Sequence, residues 1–171
     1  MAYYQSGLSE NKPPSPNCKK ENTMKFIPYL YFNGDCAEAI EFYAQLFKAE
    51  ITDRYTYNDM PPEPDMPSLS EADRQKIMHV QLTIGSQTLM ASDVVAELCA
   101  TGSGYQKPQG IQINISVDTP AEGQRIFNAL AEGGIIEMPF QATFFSQGFG
   151  VVTDRFGIPW SIDSGEAESG K

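Results

Sequence analysis

The chain repeats itself, and that repeat restricts the available folds more than any other feature. From Ile27 the sequence reads as a strand over 27–32, a tight turn at Asn33-Gly34-Asp35, a helix from Cys36 to Phe47 and a strand from Ile51. From Ile111 it reads the same way: a strand over 111–117, a turn at Asp118-Thr119-Pro120, a helix over 121–131 and a strand from Ile135. A single offset of 84 residues places Ala37-Glu38 on Ala121-Glu122, Tyr43 on Phe127, Leu46 on Leu130 and Ile51 on Ile135. A register held through strand, helix and second strand marks duplication of one βα unit. Two half-open units side by side leave a cleft, and clefts are where ligands sit.

The remaining strands complete each copy. In the first half they are 79–84 and 87–92, joined by the hairpin signal Gly85-Ser86; in the second they are 148–153 and 159–163, joined by Asp154-Arg155-Phe156-Gly157. Each half therefore reads β-α-β-β-β. The fold class is α+β, two such modules related by pseudo-twofold symmetry and forming an eight-stranded cup. Helix one is expected to be capped by Asp35, helix two to start near Pro120 and to close at Gly133-Gly134. Between strands two and three, residues 58–76 form a long Pro-rich and acidic loop, either a lid or a solvated excursion.

Composition sets the outer bounds. The 171 residues suit one ordinary domain. A net charge of −10 speaks against nucleic acid and anionic membranes, which need clustered Lys and Arg. No apolar run reaches the roughly 20 residues of a membrane span. Cys18, Cys36 and Cys99 are odd in number and lack metal spacing, which fits a reducing cytoplasmic setting. Residues 1–23 are Pro- and Asn-rich and are expected to be a disordered leader, native or added. The working domain is expected over 24–163, with modules at about 24–93 and 109–163, followed by a flexible tail over 164–171.

Strand alternation separates two faces. In 111–117 the odd positions are apolar, whereas Gln112, Asn114 and Ser116 are polar; in 79–84, Val80, Leu82 and Ile84 oppose His79, Gln81 and Thr83. The apolar sets should pack under the helices and the polar sets should line the cup, for a small polar ligand or a water network. Tyr29 and Tyr31 share parity with Ile27 and are expected in the helix-facing layer. Phe144, Phe145, Phe149 and Trp160 are expected near the mouth, as packing or as an aromatic wall. His79, the single histidine, is a candidate general acid or base with an intrinsic pKa near 6.5, with no nucleophile or orienting carboxylate evident beside it. Cys36 and Cys99 are open to either role, packing or reactivity.

Particular motifs carry a resemblance. Tyr29-Leu30-Tyr31-Phe32-Asn33-Gly34, Ala37-Glu38-Ala39-Ile40, Phe42-Tyr43 and Leu89-Met90-Ala91-Ser92-Asp93 stand in the first half. Gln141-Ala142-Thr143-Phe144-Phe145 and the run from Gly148 through Asp154-Arg155-Phe156-Gly157-Ile158-Pro159-Trp160 stand in the second. Together they resemble the PhnB-like branch of the vicinal oxygen chelate superfamily, which includes glyoxalase I, extradiol dioxygenases and bleomycin-resistance proteins. Parts of that branch carry a demethylubiquinone methyltransferase name, but the chain has no Gly-rich strand-to-helix turn of the kind that holds a methyl-donor nucleotide.

The resemblance implies a homodimer. It also implies four metal-ligand positions, on strands one, four, five and eight. Carried over, they fall on Pro28, on Met90 to Ser92, on Gln112 and on Ser161, without carboxylate or imidazole. The expectation is therefore a small-molecule-binding protein with no metal and no cofactor. Its ligand residues are His79, Gln81, Gln112, Asn114, Ser116, Phe144, Trp160 and Ser161. The alternatives are a lyase or isomerase acting on a small oxygenated metabolite through His79 with Gln112 and Asn114, and a sequestering antibiotic-resistance protein.

Overall fold

The computed structural model describes residues 24–61, 63–64, 66–99 and 104–166; the expected leader and residues 167–171 lie outside them. The elements run β1 (Tyr29–Phe32), α1 (Cys36–Phe47), β2 (Glu50–Thr56), α2 (Glu71–Arg74), β3 (Ile77–Ile84), β4 (Gln87–Asp93), β5 (Ile113–Val117), α3 (Pro120–Ala131), β6 (Ile135–Gln141), β7 (Ser146–Thr153) and β8 (Pro159–Glu166). They form two four-stranded sheets in the orders β1-β4-β3-β2 and β5-β8-β7-β6. In each sheet the first strand pairs in parallel with the fourth, and the remaining pairs are antiparallel. These are two copies of one βαβββ module, as the repeat predicts. Strand β8 runs to Glu166 and buries Ser164 completely, so residues 164–166 belong to the strand and not to the expected tail.

Helix α1 forms because Ala39, Ile40, Tyr43 and Leu46 recur at helical spacing and are all buried. It ends where Lys48 turns left-handed, with φ of 54°. Its start differs from expectation. Asp35 makes no side-chain cap, and its carboxylate instead accepts from Asn33 N at 3.1 Å. The cap comes from the end of β4. There Asp93 accepts from Gly34 N at 2.8 Å and Cys36 N at 3.1 Å through one oxygen, and from Ile77 N at 2.9 Å through the other. A buried carboxylate thus satisfies the orphan amides of the turn and ties β1, α1 and β3 together. Helix α3 follows the simpler rule, with Pro120 in its first turn and Thr119 Oγ1 accepting from Glu122 N at 3.3 Å.

One core serves both modules. Leu30, Phe32, Ile40, Tyr43, Val80 and Leu82 of the first half are continuous with Phe127, Leu130, Val152, Phe156, Trp160 and Ile162 of the second. At the seam, Tyr43 and Phe47 of α1 lie 5.4 and 5.7 Å from Trp160, ring centre to ring centre. Asp154, in the β7–β8 turn, accepts from Tyr43 Oη at 2.5 Å, Trp160 Nε1 at 2.8 Å, Phe156 N at 2.9 Å and Ile158 N at 3.0 Å. Since the core occupies the helix side of both sheets, the opposite faces look outward.

The two copies are not in one register throughout. The twelve-residue helices α1 and α3 lie 84 residues apart, position for position. The strands before them do not. Tyr29 and Tyr31 point away from the core, whereas Leu30 and Phe32 are buried; in β5 it is Asn114 and Ser116 that are exposed. Matching faces therefore equates Tyr29 with Asn114, an offset of 85. The expectation that Tyr29 and Tyr31 join the helix-facing layer is corrected here: they lie on the outward face.

Candidate functional site

The outward face of the second sheet can be read from its register. Asn114 lies beside Ser161 and Ser116 beside Asp163 on β8, and these in turn lie beside Val151 and Phe149 on β7. The polar members form one chain of hydrogen bonds. Ser161 Oγ donates to Asn114 Oδ1 at 2.7 Å, Asn114 Nδ2 donates to one Asp163 oxygen at 2.6 Å, and Ser116 Oγ donates to the other at 2.8 Å. Each donor fixes the next acceptor, so the amide and carboxylate stand in set orientations before any ligand arrives. Toward one end, Gln112, Pro159, Thr153 and Glu137 line a recess of about 990 Å³, bordered by Tyr105 and Lys107 of the linker. Toward the other, Ser116, Asp163, Phe145 and Phe149 line one of about 470 Å³.

The outward face of the first sheet has a different chemistry. Tyr29 lies beside Met90 and Tyr31 beside Ser92, while His79 lies beside Tyr55. Tyr29 and Tyr31 are 40% and 55% exposed, with ring centres 5.2 Å apart. The Tyr29 hydroxyl is 3.4 Å from His79 Nδ1, and its ring is 6.0 Å from the imidazole. Gln81 turns to the sheet edge, where Nε2 donates to Thr52 Oγ1 at 3.0 Å. Tyr57, in a single 3-10 turn after β2, donates to the Asp93 carbonyl at 2.9 Å. Burial, then the Asp93 carboxylate, then Tyr29, push its hydroxyl up to about 12.

The structure thus separates the expected site residues. Gln112, Asn114, Ser116 and Ser161 gather on the second sheet, His79 and Gln81 on the first. Among the described residues the hydrogen bonds of each set stay on its own sheet. Phe144 is 93% exposed at the tip of the β6–β7 turn, edge-on to Phe145 at 5.0 Å, which in turn meets Phe149 at 5.2 Å. Trp160 is a correction. It is 2% exposed, wedged between Tyr43 and Phe47, and its N–H is taken by Asp154, so it belongs to the core rather than the mouth. Cys36 is buried, and burial followed by the Asp93 and Asp35 carboxylates raises its thiol far above the ordinary value, which keeps it protonated. Alternation missed the tyrosines and Asp163: β1 has only four residues, and Asp163 had no visible partner until β5 and β8 paired.

A divalent ion does not fit the inherited positions. Pro28 offers only its carbonyl, which accepts from Met90 N at 3.0 Å, and the nearest strand side chain on the outward face is that of Tyr29. Ser161 Oγ is committed to Asn114, and Gln112 brings a neutral amide. Among the described residues no group of three or more His, Cys, Asp or Glu side chains is placed to hold a metal. Neutral, already engaged oxygens do not repay dehydration of a dication.

Comparison with known proteins gives consistent results. The family profile described as 3-demethylubiquinone-9 3-methyltransferase matches residues 24–163. Protein YjdN of Escherichia coli is 34% identical over 145 residues, covering 82% of this chain and 95% of its own length. Protein PA1353 of Pseudomonas aeruginosa, known from a crystal structure, is 37% identical with a TM-score of 0.71, covering 85% of this chain and all of that one. A Bacillus cereus structure, described as a putative 3-demethylubiquinone-9 3-methyltransferase, PhnB protein, is 25% identical with a TM-score of 0.64, over 82% of this chain and 99% of that one.

Proposed function

The chain belongs to that family, and from this premise, with the resemblance to the PhnB-like branch of the vicinal oxygen chelate superfamily, we propose that it is a cytosolic protein that binds a small molecule on its outward faces without a divalent metal. The observation that carries this reading is the ordered chain Ser161–Asn114–Asp163–Ser116 on an open face. Pre-set donors and acceptors lower the ordering cost of binding a polar ligand. The methyltransferase description gains no support from the architecture: the sheets are mostly antiparallel, without the parallel doubly wound sheet that binds nucleotides. We propose further that two chains pair, so that the outward face of one sheet closes over that of another. Each face is open, and Tyr31, Ile135 and Phe144 present large apolar groups to water. The test is a thermal-shift screen of polar metabolites on the wild type and on Asn114→Ala and Asp163→Asn. A stabilising compound whose effect disappears in both variants supports the reading; one whose effect survives both moves the site elsewhere.

A second reading is favoured by one contact. Tyr29 lies within 3.4 Å of His79 Nδ1, so the imidazole has an orienting group that only folding supplies. A lyase or isomerase acting through His79 would lose turnover in His79→Gln while keeping ligand affinity, a separation that simple binding does not produce.

A further inference from the structure

We propose that the outward face of the first sheet selects an organic cation, an ammonium group seated against the tyrosine rings; the assignment rests on the reading that the outward faces bind a small molecule. The first argument is ring geometry. Tyr29 and Tyr31 are tilted by 37° with centres 5.2 Å apart, and the His79 ring sits 6.0 Å from Tyr29 at 38°. Neither pair is stacked, so the π-faces are not consumed by one another, and both tyrosines are substantially exposed. Tyr57 stands on the same side of β4's end, its hydroxyl bonded to the carbonyl of Asp93, the residue after Tyr31's neighbour Ser92. A corner of several electron-rich faces attracts a cation through the ring quadrupoles.

The second argument is charge. Seven of the eight strands contain neither Lys nor Arg. The exception is Arg54 of β2, which turns to the helix side and pairs with Glu41 of α1 at 2.7 Å. The outward faces instead carry acids. Asp53 lies beside Gln81 on the first sheet, and Asp163 and Glu137 stand on the second. Two bases, Lys107 of the linker and Arg155 of the β7–β8 turn, border the far recess of the second sheet, and the Arg155 guanidinium lies over the rings of Phe42 and Phe156. A phosphate, phosphonate or carboxylate placed on the first sheet would meet the like charge of Asp53 with no strand-borne Lys or Arg facing it, which is costly on desolvation. A cation would find both complementary potential and aromatic faces.

Calorimetric titration at a pH above the histidine range separates the possibilities, with choline, its uncharged carbon isostere 3,3-dimethyl-1-butanol, and methylphosphonate as probes. Choline is expected to bind at least about tenfold tighter than the isostere. Tyr29→Leu should remove that advantage, Tyr29→Phe should keep it within about threefold, and methylphosphonate should not bind. Tyr29 is exposed, so both variants should keep the wild-type melting profile, which is checked in parallel. Equal binding of choline and its isostere, preference for methylphosphonate, choline binding indifferent to Tyr29→Leu, or no choline binding at about 10 mM would each overturn the assignment. Choline showing no preference over its isostere, while another compound binds and is lost on Asn114→Ala, would remove the cation assignment and leave the binding reading standing.

Discussion

The hydroxyl of Tyr43, on the helix of the first module, donates to the carboxylate of Asp154, in the last turn of the second, at 2.5 Å. The two residues are 111 positions apart, and the same carboxylate oxygen also accepts from Trp160. Burial, followed by the nearby carboxylate, holds Tyr43 firmly in its protonated, donating form. Removing that donor leaves a buried carboxylate one partner short. Tyr43→Phe should therefore destabilise the protein by about 1–3 kcal/mol. Urea unfolding measures this, and an unchanged midpoint would mean that the seam does not depend on the bond.

Two glycines should behave differently for different physical reasons. A Cβ on Gly150 would come within 2.7 Å of the Phe127 ring and 2.9 Å of the Phe140 backbone, so Gly150→Ala should cost about 1–3 kcal/mol through overpacking. At Gly85 the space is open, but φ is +57°, so Gly85→Ala should cost about 1–2 kcal/mol through backbone strain alone. A second change separates them. Phe127→Leu should soften the first penalty and leave the second untouched.

Stability should fall on the alkaline side. Tyr57 is held at about 12 in the fold against an ordinary value of 10.0, and Tyr43 and Cys36 are raised as well. Each raised group favours the folded state fully below its unfolded value, and that favour is lost as pH rises toward the folded one. The expected loss for Tyr57 lies between about 10 and 12. Denaturation midpoints measured across this window should decline, and Tyr57→Phe should flatten the decline. A decline as steep in the variant would assign the effect to other groups.

How much of this was readable beforehand depended on the range of the interaction. The helices were legible because Ala39, Ile40, Tyr43 and Leu46 repeat the helical period locally. The faces of β3 and β5 were legible because polar and apolar residues alternate along them. β1 offered no such contrast: Tyr-Leu-Tyr-Phe is apolar or aromatic at every position, so its parity had to come from pairing with β4. The capping of α1 by Asp93 and the capture of Trp160 by Asp154 depend on tertiary closure, which a linear pattern does not encode. Asp163 became part of the candidate site only when β8 brought it beside Asn114 and Ser116.

Elemental analysis of the purified protein should find no stoichiometric zinc, nickel, iron or manganese, and Gln112→Ala should leave the trace unchanged. The donor set is the reason: a proline, an amide and an engaged hydroxyl carry no charge to offset a dication. About one equivalent of metal, lost on Gln112→Ala, would overturn this.

Light scattering at micromolar concentration should report twice the mass of one chain. The apolar groups left on the outward faces and the edge strands β1 and β5 give association its driving force. A single-chain mass under these conditions would leave both faces open to water and remove the paired arrangement.

The one-residue slip between the copies reaches beyond geometry. Because β1 is displaced relative to β5 while the helices stay aligned, duplication did not yield two equal surfaces. One became aromatic, with a lone imidazole; the other became a lattice of amide, hydroxyl and carboxylate. Substitutions on one surface can retune what it recognises while the other keeps its contacts. The repeat therefore supplies two independently adjustable dials, where an unslipped copy would have supplied the same dial twice.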